Sequence, residues 1–520
     1  MHEVELTLGL LVAVAGLATL ARLLSVPSPI FLVLGGLLLS LVPGVPDVVL
    51  APDLVFLLIL PPLLYIAAFD TAIRDVRAML RPILSLAVGL ALATAVAVAI
   101  VVHAVLPDIG WPAAFALGAI VSPPDAVATV AVLRRLSVPR RIVTLLEGES
   151  LFNDATALVA FRFAVAAMAT ASFSLPSAAL NFVAVGFGGI LVGIAVGAII
   201  ALLRRQLTDT PVEITISLLT PFAAYLAAEQ LHVSGVLATV MAGLSIGWWS
   251  PRIMEAEVRV RARAVWDMVI FALNGVVFLL IGLQLPTILP SLAGRPPLTT
   301  LGLGVLVSAV VILVRLVWVA PAALGIPILG HGKRWSEVLI IGWAGMRGVV
   351  SLATALALPL ETPHRDLLLF LTFCVILATL VGQGLTLPWL VRVVGVSDDG
   401  SSAEQELRAR AAALDAACMR LGQLSEEWPS HLPLIETLKS QYGHRATHLG
   451  DLSSAELDDN GRPLSQAAKQ EILEHGEIRR AVIGAERAAI LELRQRGEIG
   501  DQAWRRVERD LDLEELRLEA

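Results

Sequence analysis

Thirteen apolar runs, most of them long enough to cross a bilayer, leave this chain few folds to choose from. They lie near residues 4–24, 28–45, 51–70, 82–106, 111–134, 142–170, 177–203, 211–230, 233–249, 264–285, 297–323, 335–359 and 365–391. A hydrocarbon core about 30 Å thick is spanned by roughly 17–25 apolar residues of helix. The expected fold class is therefore an all-α polytopic membrane protein of about 13 transmembrane helices. Composition agrees, with 16% charged residues and a mean hydropathy of +0.79, against about 25% charged residues in soluble domains. Glu3 and Glu5 precede the first run and no small-residue cleavage site stands out. That run is read as a retained span rather than a signal peptide.

Charges between the runs set the orientation. Alternate loops carry Arg22; Arg74, Arg77, Arg81; Arg134, Arg135, Arg140, Arg141; Arg204, Arg205; Arg252, Arg259, Arg261, Arg263; Lys333, Arg334; and Arg392, while the other loops carry only Arg295 and Arg365. The positive-inside rule then puts the N-terminus outside and the C-terminus in the cytoplasm, and this alternation requires an odd number of spans. The chain divides into a transmembrane domain, residues 1–395, and a helical cytoplasmic tail, residues 396–520. From Ser397 onward there are 16 basic and 25 acidic residues, against 22 and 20 before it. No strongly basic surface points to nucleic acid. In the tail, Ile478, Val482, Ala485, Ala489 and Leu493 have helical spacing, and residues 458–463 read as a turn. Cys374 and Cys418 fall in a span and in the tail without metal-ligand spacing. Gly186, Gly189, Gly193 and Gly197 on the seventh run sit in a continuous apolar helix and read as a helix-packing face rather than a nucleotide loop.

Within the sixth run stands Glu147-Gly148-Glu149-Ser150-Leu151-Phe152-Asn153-Asp154. A charged side chain at the bilayer centre costs about 2.5–3.5 kcal/mol on insertion scales, so an intramembrane acid marks a proton or cation site by default. Residues four apart share a helical face, which pairs Ser150 with Asp154 and Glu149 with Asn153. Twelve residues at about 1.5 Å each put Asp154 roughly 18 Å beyond Ile142, near the midplane.

Two other runs are interrupted. Ser122-Pro123-Pro124-Asp125 removes backbone donors and disfavours helix before each proline, leaving free carbonyls beside Asp125, a residue also suited to cap the second half-helix. Gly342-Trp343-Ala344-Gly345-Met346-Arg347-Gly348 brackets an arginine with glycines. Arg347 also lies roughly 18 Å inward from Trp335 and is read as the partner of Glu149. Arg162 and Arg315 are read as snorkelling or pairing with a neighbouring helix. The two breaks occupy corresponding places if spans one to six and eight to thirteen are inverted repeats around span seven, a pointer to a transporter binding site.

On these motifs, together with Phe278-Leu279-Leu280-Ile281-Gly282-Leu283-Gln284 and Leu60-Pro61-Pro62-Leu63-Leu64, the chain over residues 5–395 resembles the bacterial sodium/proton antiporters of the sodium/proton exchanger branch of the monovalent cation:proton antiporter superfamily. The resemblance implies that Asp154 binds cation or proton in turn. It implies that Asp125, the Ser150 hydroxyl and the Pro124 carbonyl complete a sodium site, and that Glu149, Asn153 and Arg347 form a structural network. The Asn153-Asp154 pair implies electroneutral exchange of one cation for one proton. A homodimer in the cell membrane and no resident cofactor are implied as well. Where some members carry an acid in span three this chain has Ile66; Asp70, one turn on, is expected to pair with Arg74 at i,i+4.

The expected function is secondary active antiport of sodium, with lithium as a further cation, against protons, not enzymatic catalysis. A potassium/proton exchanger shares nearly every feature. A cation channel would also place carboxylates in the membrane, but the double break favours alternating access. An intramembrane hydrolase would use Ser150 or Ser122, yet no histidine falls in any motif to activate them.

Overall fold

The computed structural model describes residues 2–24, 26–42, 55–133, 136, 138–170, 175–207, 209–284, 296–323, 335–396, 401–453, 464–496, 498 and 501–519. Arg134, Arg135, Arg295, Lys333, Arg334 and the turn at 458–463 lie outside the described residues. Among those described there is helix and no strand. The chain separates into two compact units, Met1–Asp398 and Asp399–Ala520.

The first unit begins with α1 (His2–Leu23), α2 (Ser28–Leu39), α3 (Val55–Asp70), α4 (Ile73–Ala78) and α5 (Leu80–Val105). There follow α6 (Trp111–Val121), α7 (Ala126–Leu133), α8 (Arg140–Thr170), α9 (Leu175–Arg204), α10 (Thr210–Gln230), α11 (Gly235–Ile253) and α12 (Ala256–Leu283). It closes with α13 (Pro297–Ala323), α14 (Trp335–Trp343), α15 (Val349–Leu356) and α16 (Arg365–Val394). Helix thus occupies part of every one of the thirteen apolar runs. By length and apolarity, seven helices among the described residues are long enough to cross a membrane, with shorter apolar helices beside them. Two runs fall short because they are broken as their prolines and glycines dictate. Run five gives α6 and α7, and run twelve gives α14 and α15.

Local chemistry explains several ends. Pro112 and Pro211 stand in the first turns of α6 and α10, where a missing N–H costs nothing. The Ser234 hydroxyl accepts from the Leu237 amide at 3.3 Å and starts α11. Gly395 ends α16 with φ +66°, the left-handed turn that glycine adopts without a Cβ clash. The glycines of α9 serve packing: a Cβ on Gly193 would stand 2.3 Å from the Ala238 carbonyl of α11. The first unit is held by an apolar core that includes Val33, Phe278, Ile281, Ile341, Leu352 and Phe373, all nearly inaccessible.

The second unit is α17 (Ser401–Glu427), α18 (Leu432–Ser453), α19 (Leu464–Gln495) and α20 (Asp501–Glu519). The helical reading of 477–496 agrees with α19, but its packed face is rotated from the expected one. Ile478 and Val482 are exposed whereas Ile483 is buried. The partner helix explains the rotation: Arg487 bridges to Asp512 and to Glu515 of α20, and Arg494 lies 4.1 Å over the Trp504 ring.

Candidate functional site

Two broken helices meet at Asp125. Its backbone amide donates to the Met346 carbonyl at 2.6 Å, tying the break in run five to the break in run twelve. Its carboxylate accepts from the amides of Val127 at 2.8 Å and Ala128 at 3.2 Å, capping α7. The Val349 amide, at the start of α15, also faces this carboxylate and favours its charge. One anion therefore serves two helix N-termini, where backbone dipoles favour negative charge. Gly348 makes this approach possible, because a Cβ there would fall 1.8 Å from Asp125 Oδ2.

Arg347 answers the opposite ends of helices. Its Nε donates to the Val121 carbonyl at 2.9 Å and Nη2 to the Ser122 carbonyl at 3.1 Å, and Nη1 donates to the Gly345 carbonyl. A guanidinium at the C-terminus of α6 meets orphan carbonyls and the negative end of the dipole. The Thr379 hydroxyl accepts from the Arg347 amide at 3.0 Å, within a wide turn of α16 at Ala378–Gln383. A π-type turn of this kind frequently marks a functional site.

The pairing of Glu149 with Arg347 is corrected by the structure. Glu149 is held by Arg315 of α13 through a two-pronged contact, Nη1 to Oε1 at 2.5 Å and Nη2 to Oε2 at 2.8 Å, with both side chains 1% exposed. Arg315 Nε also donates to the Ile341 carbonyl at 3.0 Å. Sequence depth carried the missing signal. Arg315 lies eight residues from Ala323, about 12 Å along the helix, and Glu149 seven residues from Ile142, about 11 Å. Arg347, roughly 18 Å in, is level with Asp154 instead. Arg162 pairs with Glu229 of α10 at 2.8 Å near the surface, one of the two fates expected for it.

Asp154 is buried at 4% exposure. Its carboxylate has no hydrogen-bond or ion-pair partner among the described residues, and Asp125 is the charge that acts on it. With Asp125, Ser150 and Pro124 it lines a cavity of about 540 Å³. The Pro124 carbonyl receives Ser150 Oγ at 3.5 Å and Asn153 Nδ2 at 3.4 Å. Both contacts are at the long limit of hydrogen bonding, so this oxygen retains acceptor capacity. Asn153, expected in a network with Glu149 and Arg347, donates to the Pro124 carbonyl, and its Oδ1 is buried without a partner among the described residues. The structure thus brings Asp154, Asp125, Ser150 and Pro124 to one cavity and keeps Glu149 with Arg315.

Towards one end the cavity is lined by Asp70, Asp75, Arg140, Glu147, Arg263 and Asp267. Asp70 pairs with Arg263 at 2.5 Å, not with Arg74, which lies over the Trp248 ring. The reason is local. Helix α3 ends at Asp70 and Thr71 is extended, so the i,i+4 geometry does not exist there.

Residues 9–393 match the family described as sodium/hydrogen exchanger, transmembrane. The chain belongs to the sodium/hydrogen exchanger family. This exchanger is 36% identical over 545 aligned positions to an uncharacterised Na(+)/H(+) exchanger of Mycobacterium tuberculosis (strain ATCC 25618 / H37Rv), covering 99% of this chain and 97% of that one. It is 34% identical over 393 positions to a sodium, potassium, lithium and rubidium/H(+) antiporter of Bacillus subtilis (strain 168), covering 70% of this chain and 58% of the other. Its fold is similar to that of the sodium proton antiporter MjNhaP1 from Methanocaldococcus jannaschii, with a TM-score of 0.60 and 19% identity, covering 76% of this chain and 100% of that chain. Membership makes the exchanger a multi-pass membrane transporter rather than an enzyme in the catalytic sense. Its substrates are ions, and family and fold together support cation/proton antiport.

Proposed function

We propose that this chain exchanges sodium for protons across the cell membrane, one for one, at a site formed by Asp154, Asp125, the Ser150 hydroxyl and the Pro124 carbonyl. The observation that carries this reading is the unanswered Asp154 carboxylate. Nearby, Glu149 is answered by Arg315, Arg347 by three carbonyls, and Asp125 by backbone amides. A buried carboxylate without a partner is costly as an anion. A proton or a cation relieves that cost, and each excludes the other. Alternating exposure of the site to the two sides of the membrane then couples the two fluxes without ATP.

Residues 1–395 carry this activity, residues 396–520 form a cytoplasmic appendage, and the N-terminus faces outward. The orientation is supported by the seventeen basic residues of one set of loops against two in the other. A homodimer is the working assembly that the family resemblance implies. Glu149, Asn153 and Arg347, with Arg315 added, hold the site in place.

The decisive measurement is exchange in proteoliposomes with Asp154→Asn. We expect sodium-dependent proton flux to be abolished in a folded protein; retained exchange would sink the assignment. Potassium/proton exchange is the second reading. It is favoured by the Bacillus subtilis relative, whose name includes potassium, lithium and rubidium. Comparing sodium, potassium and lithium, with and without an imposed potential, decides between the readings and tests electroneutrality.

A further inference from the structure

The cavity wall that α3 contributes is apolar at depth, with Ile59, Leu63 and Ile66. Helix α12 supplies the polar groups beside it. Arg263, Asp267, Ile270 and Asn274 all line the cavity, and their spacing of four, three and four residues keeps them on one helical face. Eleven residues at about 1.5 Å place Asn274 roughly 17 Å beyond Arg263, while Asp154 lies about 21 Å beyond Arg140 on α8. Asn274 therefore reaches towards the depth of the carboxylates.

Asn274 Oδ1 is buried and has no hydrogen-bond partner among the described residues. The same is true of Ser351 Oγ, on the first turn of α15, whose residue is 1% exposed. Both residues line the cavity that holds Asp125 and Asp154. Buried polar groups are normally satisfied, and each exception calls for a cause. Here two neutral oxygens from two helices line the same cavity as a carboxylate that also lacks a partner among the described residues. Water alone would satisfy an amide or a hydroxyl. A metal cation answers the ionised carboxylate and several neutral oxygens at once, whereas a proton bridges at most two acceptors.

We propose that Asn274 Oδ1 and Ser351 Oγ bind the transported cation, directly or through its hydration water, and complete the shell begun by Asp154, Asp125 and Ser150. This inference rests on the antiport reading given above. A neutral oxygen attracts a metal cation without adding charge to the site. It therefore favours the cation in its competition with the proton, and the number and placement of such oxygens set the preference among ions of different radius.

The test uses the full chain in proteoliposomes, with lithium, sodium and potassium titrated separately. Asn274→Leu and Ser351→Ala should each raise the apparent KM for sodium about five- to tenfold, the scale of one lost hydrogen-bond-strength contact, and by more than they lower kcat. They should also alter the ratio of KM values among the three ions. Asn274→Asp, which keeps an oxygen at the same place, should restore the affinity for sodium. Unchanged KM ratios in both variants, or a fall in kcat at constant KM, would overturn the inference. If Asn274→Leu does not fold, Asn274→Ser carries the same expectation with its oxygen withdrawn from the ion. Asp154→Asn measured in parallel separates the two levels of the argument. Exchange retained in that variant removes the site itself. Exchange lost there, with KM ratios unmoved in the Asn274 and Ser351 variants, removes only this inference.

Discussion

At Gly348 the backbone runs so close to Asp125 that one added methyl would collide with the carboxylate. The colliding atom belongs to a side chain fixed by backbone amides from two helices, not to a flexible tip. Gly348→Ala is therefore expected to move Asp125, lowering exchange by at least about tenfold and stability by about 1–3 kcal/mol. Initial rates of sodium-driven proton flux and thermal unfolding in detergent measure both. At this scale much of the site was legible. Asp125 and Asp154 stand out because acids in an apolar run are expensive, and helical phase sets Ser150 with Asp154, on a face apart from Glu149. The partner of Glu149 was not legible by matching charges alone. Arg347 looked unpaired only because backbone carbonyls, its actual acceptors, are invisible in a residue list. Asn153 shows a related limit: four-residue spacing fixes its face, while its hydrogen-bond acceptor, the Pro124 carbonyl, comes from another helix break.

At the scale of elements, the two breaks are complementary. Anionic Asp125 sits at two helix N-termini, and cationic Arg347 sits at the C-terminus of α6, so each half-helix presents its dipole to an opposite charge. The breaks themselves were readable from consecutive prolines and clustered glycines. Their crossing was not, since it depends on a hydrogen bond between residues far apart in sequence. Energetic coupling follows the observed contacts. Removing either Glu149 or Arg315 leaves a buried charge alone, at about 3–5 kcal/mol, whereas replacing both by apolar residues of similar volume recovers most of that. A double-mutant cycle on unfolding should therefore give a larger coupling for Glu149 with Arg315 than for Glu149 with Arg347. The reverse order would contradict the structure. The α19 helix of the second unit teaches the same lesson. Its periodicity predicted helix correctly, but acidic residues of α20 selected which face packs.

For the whole molecule, the proposed competition at one carboxylate fixes the direction of the pH response. In that proposal a proton on Asp154 excludes the cation, so raising the pH removes the competitor and the apparent KM for sodium should fall. In the range where protonation dominates, the change approaches about tenfold per pH unit, the limit for one proton against one cation. Flux titrations at several pH values check this, and a KM that rises with pH would exclude simple competition. The proposed one-for-one exchange also predicts that an imposed membrane potential leaves the rate unchanged. The all-helical architecture was legible from the apolar runs. The number of complete crossings was not, because broken helices and short apolar helices divide what composition presents as uniform spans.

The hydrogen bond from the Asp125 amide to the Met346 carbonyl has a mechanical meaning. It rivets the two interrupted segments at their crossing, so under the proposed alternating access they are expected to shift as a single piece. Deuterium exchange would register this as protection of the Asp125 amide that persists with sodium present or absent. Amides bordering the charged end of the cavity, near Asp70 and Asp75, would exchange at rates that follow the transport cycle.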